Sequence, residues 1–304
     1  QMKTLFDQTQ SGQMSLKNRF IRAAIGEKTS NGHVNENILK LYKRLAQGGT
    51  GTLITGFTLV DEAEAQFPML AFYNDSFHQD HKILTNLVHE YNANIILQLV
   101  YVGSYVMGKV AGMTILAPSV VKNLNTKIIP QEITVEQIKN IQQKFSQAAL
   151  RAKNAGYDGI EIHAAHGFLL SQFMTPHYNL RTDLYGGSTQ NRARMSLETY
   201  DGFKDEVSFE DVLYLCKELT ERKIDAIEIS GAWNKFAPES TSFFKKEAER
   251  IAAENETKII MTGGNKDFKE MTEILNSTKI EYFGMARALM KEPELVNRFE
   301  KEWI

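Results

Sequence analysis

Short runs of apolar, mostly β-branched residues alternate along this chain with longer segments in which apolar positions recur every three or four residues. The runs are Asn18–Ile25, Gly51–Val60, Ala93–Tyr101, Gly159–Ala165, Ile224–Gly231, Lys258–Gly264 and Ile280–Ala286. Between them the helical spacing is clearest over Glu36–Ala46 and Phe77–Tyr91. Thr134 opens a long helix ending near Gly156, with the capping-box spacing Thr134-x-x-Gln137. Near-continuously apolar strands separated by helices predict parallel βα units buried on both faces. No Gly-rich dinucleotide fingerprint follows the first strand, so a closed α/β barrel, the (β/α)8 TIM barrel, outranks an open doubly wound sheet.

A barrel of this kind needs eight strands, and the pattern supplies seven. The gap is local. The helix carrying Asn191–Tyr200 runs into Asp201–Val207 (DGFKDEV), and Ser208-x-x-Asp211 already caps the next helix. The fifth-strand region is therefore short or missing in this sequence. An unclosed barrel would expose two strand edges, so a strand between Tyr200 and Ser208 is expected in the expressed protein. The stretch from Val102 to Pro130, rich in Gly, Ser and Pro, predicts a functional loop or lid.

Composition narrows the classes. With 304 residues, 42% of them hydrophobic, the chain supports one large core, and residues 1–304 read as one domain. A net charge of −2 with interspersed signs gives no electrostatic footprint for nucleic acid or an anionic membrane. The single cysteine, Cys216, excludes an internal disulfide and fits a reducing compartment; on the amphipathic run VLYLCKEL it reads as core. Gln1–Arg22 lacks a signal-peptide core, and no apolar run approaches the ~18 residues of a membrane span. A cytoplasmic protein acting on a small molecule is expected, with homo-oligomerisation left open.

The most specific stretch is Gly159–Arg194, GIEIHAAHGFLLSQFMTPHYNLRTDLYGGSTQNRAR. His163 and His166 stand where the fourth strand ends, on the catalytic rim of such barrels. A metal would need a third ligand, and no other cluster has zinc spacing. The polar, turn-rich segment from Asn179 to Arg192 would cover that rim. With LKNR at Leu16–Arg19, QL at Gln98–Leu99, APS at Ala117–Ser119, TGG at Thr262–Gly264 and AR at Ala286–Arg287, the chain closely resembles the Old Yellow Enzyme family along nearly its whole length.

That resemblance implies a flavoprotein with FMN on the rim, reduced by NADH or NADPH in a ping-pong exchange with a quinone, nitro compound or activated alkene. It places Ala23, Ala24, Ile25 and Gly26 against the isoalloxazine ring, Phe57 at the ring edge and Gln98 on the pyrimidine edge. Gly263, Gly264, Asn265, Ala286 and Arg287 match the phosphate cradle. Barrels commonly hold phosphate at these two loops on independent grounds: glycines admit backbone N–H groups, a helix N-terminus favours the anion, and Arg287 adds a charge-assisted fork. His163 and His166 match the donors that grip the acceptor oxygen, and His163 also borders the flavin. Such donors stabilise the charge that builds when reduced FMN delivers hydride.

The sequence departs from the family pattern at several positions. Phe168 stands where many relatives carry the tyrosine that protonates the substrate, and phenylalanine has no proton to give. Gly26 replaces the Thr or Cys that tunes the flavin, and Ala24 the usual proline. Tyr101 and Ser104 replace the His and Arg of the common QL-x-H-x-G-R run. The cation that relatives place on the fifth strand falls in the gap. These features predict faster reduction of quinones and nitro compounds than of enones. Lys28, Phe168, Tyr101 and Trp233 are the candidate pocket residues. Glu27 and Lys28 follow the first strand at the rim, where they read equally as substrate contacts or as a solvated charge pair. Two other functions fit the residues: a degenerate relative that binds flavin without efficient turnover, and a barrel lyase or isomerase acting on a phosphorylated substrate. A flavin absorbance spectrum separates the last from the others.

Overall fold

The computed structural model describes residues 2–106, 111–199, 209–231 and 241–303. A short hairpin comes first, β1 (Thr9–Ser11) with β2 (Met14–Leu16). Seven strands then build one parallel sheet: β3 (Phe20–Arg22), β4 (Thr52–Ile54), β7 (Asn94–Val100), β10 (Gly159–Ile162), β11 (Ala226–Ile229), β12 (Lys258–Thr262) and β13 (Tyr282–Met285). Its spatial order is β11-β12-β13-β3-β4-β7-β10. All seven lie within the predicted apolar runs. The run Gly51–Val60 is divided, because β5 (Thr58–Leu59) leaves the wall to pair with the end of β7 and with β6 (Leu70–Ala71).

Helices cover the outside. α1 (Glu36–Gln47) is capped by Asn35, whose side chain accepts from Ile38 N–H. α2 (His78–His89) follows, and α3 (Val135–Asn154) carries the expected capping box of Thr134 and Gln137. After β10 come α4 (Leu169–Met174), α5 (Thr189–Thr199) and α6 (Phe209–Glu221). α7 (Lys245–Glu254) and α8 (Phe268–Ser277) flank β12, and α9 (Arg287–Lys291) and α10 (Leu295–Trp303) follow β13. No helix among the described residues is long and apolar enough to cross a membrane. Cys216 is buried, as core packing requires.

Leu16, Ile21, Ile54, Ile260 and Tyr282 form a small cluster inside the curled sheet, with Ile96 and Ala226 packed on it. The hairpin thereby plugs the N-terminal mouth. A larger cluster lies between sheet and helices. The facing edges of β10 and β11 pair with no strand among the described residues. All four residues of β10 are only half-buried, whereas those of β4 are buried throughout. The expected fifth strand, between Tyr200 and Ser208, lies outside the described residues.

The stretch after β7 is well tied down rather than a free lid over its described part. It holds a 3-10 turn at Gly103–Tyr105, and β8 (Leu116–Ala117) pairs with β9 (Gln131–Glu132). The Glu64 carboxylate accepts from Val102 N–H and Gly103 N–H at 2.9–3.0 Å. Burial pushes Glu64 up to about 8 from an ordinary 4.5, outweighing those backbone donors, which favour the ionised form. A raised carboxyl binds its proton more tightly folded than unfolded. Its contribution to stability is complete below pH ~4.5 and disappears as pH rises through ~8. We expect Glu64→Gln, which keeps an acceptor, to gain in melting temperature relative to wild type between pH 5 and 8. A constant difference across that window would contradict the assignment. The comparison is made between the two proteins because His81, held down to about 4 by burial, gives the opposite slope.

Candidate active site

The C-terminal rim begins at β3. Arg22 is buried and donates to Tyr42 Oη (3.0 Å), Ile54 O (2.6 Å) and Glu27 Oε1 (2.8 Å). Tyr42 Oη donates to the same Glu27 oxygen at 2.6 Å, and Gly56 N–H donates to the other at 2.7 Å. Glu27 is thus not a solvated rim charge. It is a buried lock that clamps the turn of Ala23, Ala24, Ile25 and Gly26 to β4 and to the start of the Phe57 loop. Lys28 is exposed, and its backbone bridges Met69. The Phe57 ring lies against Gly26, so the small residues of this turn form a floor with an aromatic edge.

His163, at the end of β10, faces that floor. Its N–H donates to Leu99 O. Ala165 N–H donates to His163 Nδ1 at 3.2 Å, and burial together with His166 holds the imidazole well below its ordinary range. A neutral ring whose Nδ1 accepts must carry its proton on Nε2. His163 is therefore a neutral N–H donor near pH 7. His166 stands edge-on at 5.1 Å with φ +58°, and its Nε2 lies 3.4 Å from Ser230 Oγ at the end of β11. Phe168 packs on His163 at 4.8 Å and on Phe57 at 5.2 Å. These side chains converge.

Ile96 packs inside the barrel, so Gln98, two residues on, faces the same way. Its Nε2–H donates to Glu161 Oε2 on β10 at 2.6 Å, which leaves Oε1 and one N–H. Across the rim, Gly263 and Gly264 have φ +129° and +76°, conformations that favour glycine. A Cβ there would meet the rings of Phe243 and Phe244 within 3 Å. Neither glycine N–H donates to another backbone group among the described residues. The exposed Arg287 lies over the Phe243 ring at 5.7 Å, and Ala286 precedes it as the cap of α9. Thr262 Oγ1, buried against Gly284 just before the glycines, has no hydrogen-bond partner among the described residues. Open amides and a cation suit an anion, so this corner fits the phosphate of FMN.

Asn265 keeps its place beside the glycines with its side chain taken up by the fold. Its Nδ2 donates to Met261 O and Gly284 O, binding β12 to β13. One other expectation needs correcting. Tyr101 does not line the pocket. It lies just past the end of β7 with its side chain buried, and burial first, then the charges of Glu64 and Asp61, raises its phenol. Trp233 lies outside the described residues. The Asn179–Arg192 segment acts as a staple rather than a cover. Asn179 Nδ2 donates to Phe173 O and Tyr185 O, and Arg181 donates to Pro118 O, Ile133 O and Asp183. Glu161, Phe243 and Tyr105 escaped notice in the sequence, because only the fold brings them to the rim.

Residues 4–237 match the NADH:flavin oxidoreductase / NADH oxidase family. The chain belongs to that family. Its members carry FMN and use NADH or NADPH, and Old Yellow Enzymes are among its structural neighbours. The chain is 30% identical to a metal reductase of Desulforamulus reducens over 98% of its own length and 48% of that protein. It is 30% identical to an NADPH dehydrogenase of Bacillus velezensis over 95% and 92%. It covers 32% of two other relatives, a cinnamate reductase of Clostridium sporogenes and an NADH oxidase of Thermoanaerobacter brockii. The chain thus spans half or less of several relatives it matches. Morphinone reductase shares the fold with TM-score 0.84 at 24% identity, covering 98% of this chain and 90% of that one. A 2-naphthoyl-CoA reductase does so with 0.88 at 20% identity, over 98% and 52%. The (β/α)8 barrel expected from the strand pattern is the fold of these proteins.

Proposed function

We propose that this flavin oxidoreductase passes reducing equivalents from NADH or NADPH to a small electrophile whose oxygen is held at His163. The observation that carries the reading is the neutral His163, forced to present Nε2–H beside the small-residue floor and Gln98. When bound, FMN supplies a hydride-transferring ring. The chain's own residues do the rest. Ala23, Ala24, Ile25 and Gly26 make the floor for the ring, Phe57 borders its edge, and Gln98 meets its polar edge with an amide oriented by Glu161. Gly263, Gly264 and Arg287 hold the phosphate. His163, with His166 beside it, donates to the acceptor oxygen, where negative charge builds in the transition state.

Donor and acceptor use one rim in turn, which makes the exchange ping-pong, and quinones, nitro compounds and activated alkenes are the acceptor class. Residues 1–304 act as one barrel domain in this scheme. A relative that binds flavin without turnover is the second reading, and Phe168, which has no proton to give, favours it. Anaerobic mixing with NADH followed by benzoquinone separates the two. We expect the flavin absorbance to bleach and then return. A spectrum that NADH leaves unchanged supports the binding-only reading.

A further inference from the structure

Alkene reduction needs a proton at the α-carbon, and Phe168 has none to give. The structure places another phenol next to it. Tyr105 ends the 3-10 turn after β7, and its ring meets Phe168 edge-on at 5.7 Å and 88°. It also packs on Gly167, where a Cβ would stand 3.1 Å from the tyrosine ring. Phe168 in turn touches His163 at 4.8 Å, so Tyr105 is one ring removed from the group that holds the acceptor oxygen. We propose that Tyr105 is the catalytic acid for activated alkenes. This rests on the oxidoreductase reading above.

Three features support the role. Tyr105 is half-buried, and among the described residues its hydroxyl makes no hydrogen bond, so the O–H is available to a substrate. Its turn is held from several sides: Glu64 grips Val102 N–H and Gly103 N–H, Gln172 Oε1 accepts from Ser104 N–H, and Thr126 Oγ1 donates to Ser104 O. A fixed acid is what proton transfer in the transition state requires. The other nearby acids are engaged or buried. Glu27 is locked on Arg22, and the Tyr101 phenol is buried beside Glu64 and Asp61. The neutral His163 holds its proton on the nitrogen that grips oxygen.

The step balances without further reactants. Bound FMN, with NADH or NADPH as the reductant, would supply the hydride for the new C–H bond at the β-carbon. The C=C π pair moves toward the α-carbon and its conjugated oxygen, which His163 Nε2–H holds. The Tyr105 O–H bond breaks as the α-carbon C–H bond forms, and the phenolate regains its proton from water. Quinones and nitro groups take their protons on oxygen or nitrogen, which exchange with solvent, and so do not need this acid.

The test compares cyclohexenone and benzoquinone as acceptors for wild type, Tyr105→Phe and Tyr105→Phe/Phe168→Tyr, with melting temperature and FMN content measured alongside. General acid catalysis is worth ~10²–10⁴-fold, so Tyr105→Phe should lose about 10²-fold or more in enone kcat. Its quinone turnover, FMN content and melting temperature should stay at wild-type values, and the double variant should regain enone turnover. Enone turnover that survives Tyr105→Phe overturns the assignment, as does a wild type active on quinone and inactive on enone. Quinone turnover that falls in parallel in Tyr105→Phe also overturns it. A wild type that reduces neither acceptor overturns the oxidoreductase reading and this assignment with it.

Discussion

Replacing Glu27 with alanine should destabilise the protein by about 3–5 kcal/mol, the usual cost of leaving one member of a buried ion pair without its partner. Glu27 and Arg22 have side chains only 7% and 3% exposed. Without the carboxylate, Arg22 keeps Tyr42 and Ile54 O but no compensating charge, and Gly56 N–H loses its acceptor. The damage should also be functional, because the same carboxylate fixes the turn proposed as the floor for the flavin. Glu27→Gln, which keeps acceptor capacity, should fall between wild type and alanine. Denaturant unfolding of the three proteins measures this. Equal stability of alanine variant and wild type would show that Arg22 finds water or another partner and that the lock is unimportant.

His163→Ala should lower kcat with quinones by about 10²–10³-fold, the range found when one donor to a developing oxyanion is removed. The same change should weaken phenolic ligands bound to the oxidised protein, since a buried phenolate oxygen loses its N–H. The fold should tolerate the change, because the backbone bond from His163 N–H to Leu99 O does not involve the imidazole. His163→Asn retains an N–H donor and should recover part of both losses. Stopped-flow oxidation of the NADH-reduced protein and ligand titration by absorbance read the two effects separately. An alanine variant with wild-type oxidation rates would mean that His166 or another group holds the acceptor.

Most of the architecture could be read from the chain, for definite physical reasons. Strands buried on both faces leave uninterrupted apolar runs, so β7 and β12 lie inside Ala93–Tyr101 and Lys258–Gly264. The cap of α3 was visible because Thr134 and Gln137 satisfy each other locally. The hairpin of β1 and β2 was missed, since two three-residue strands carry too little alternation to signal themselves. Site residues followed the same division. Residues of one dense motif, such as His163 and Phe168, are brought together by the fold as their spacing suggests. Glu161 reads as one more polar residue in a strand until β10 sets it beside Gln98. Tyr105 acquires its neighbours only when α4 brings Phe168 and Gly167 back against the turn after β7. Glu27 proves to be a buried partner of Arg22 because the fold alone decides whether a rim polar group turns inward.

The central claim is that this rim holds FMN. Protein purified under mild conditions, and reconstituted with flavin where needed, should be yellow. Heat denaturation followed by chromatography should then release FMN in a one-to-one ratio to the chain. FAD in its place would mean that the corner at Gly263, Gly264 and Arg287 does not end the site at a single phosphate. Failure to bind any flavin after reconstitution would contradict the account at its root.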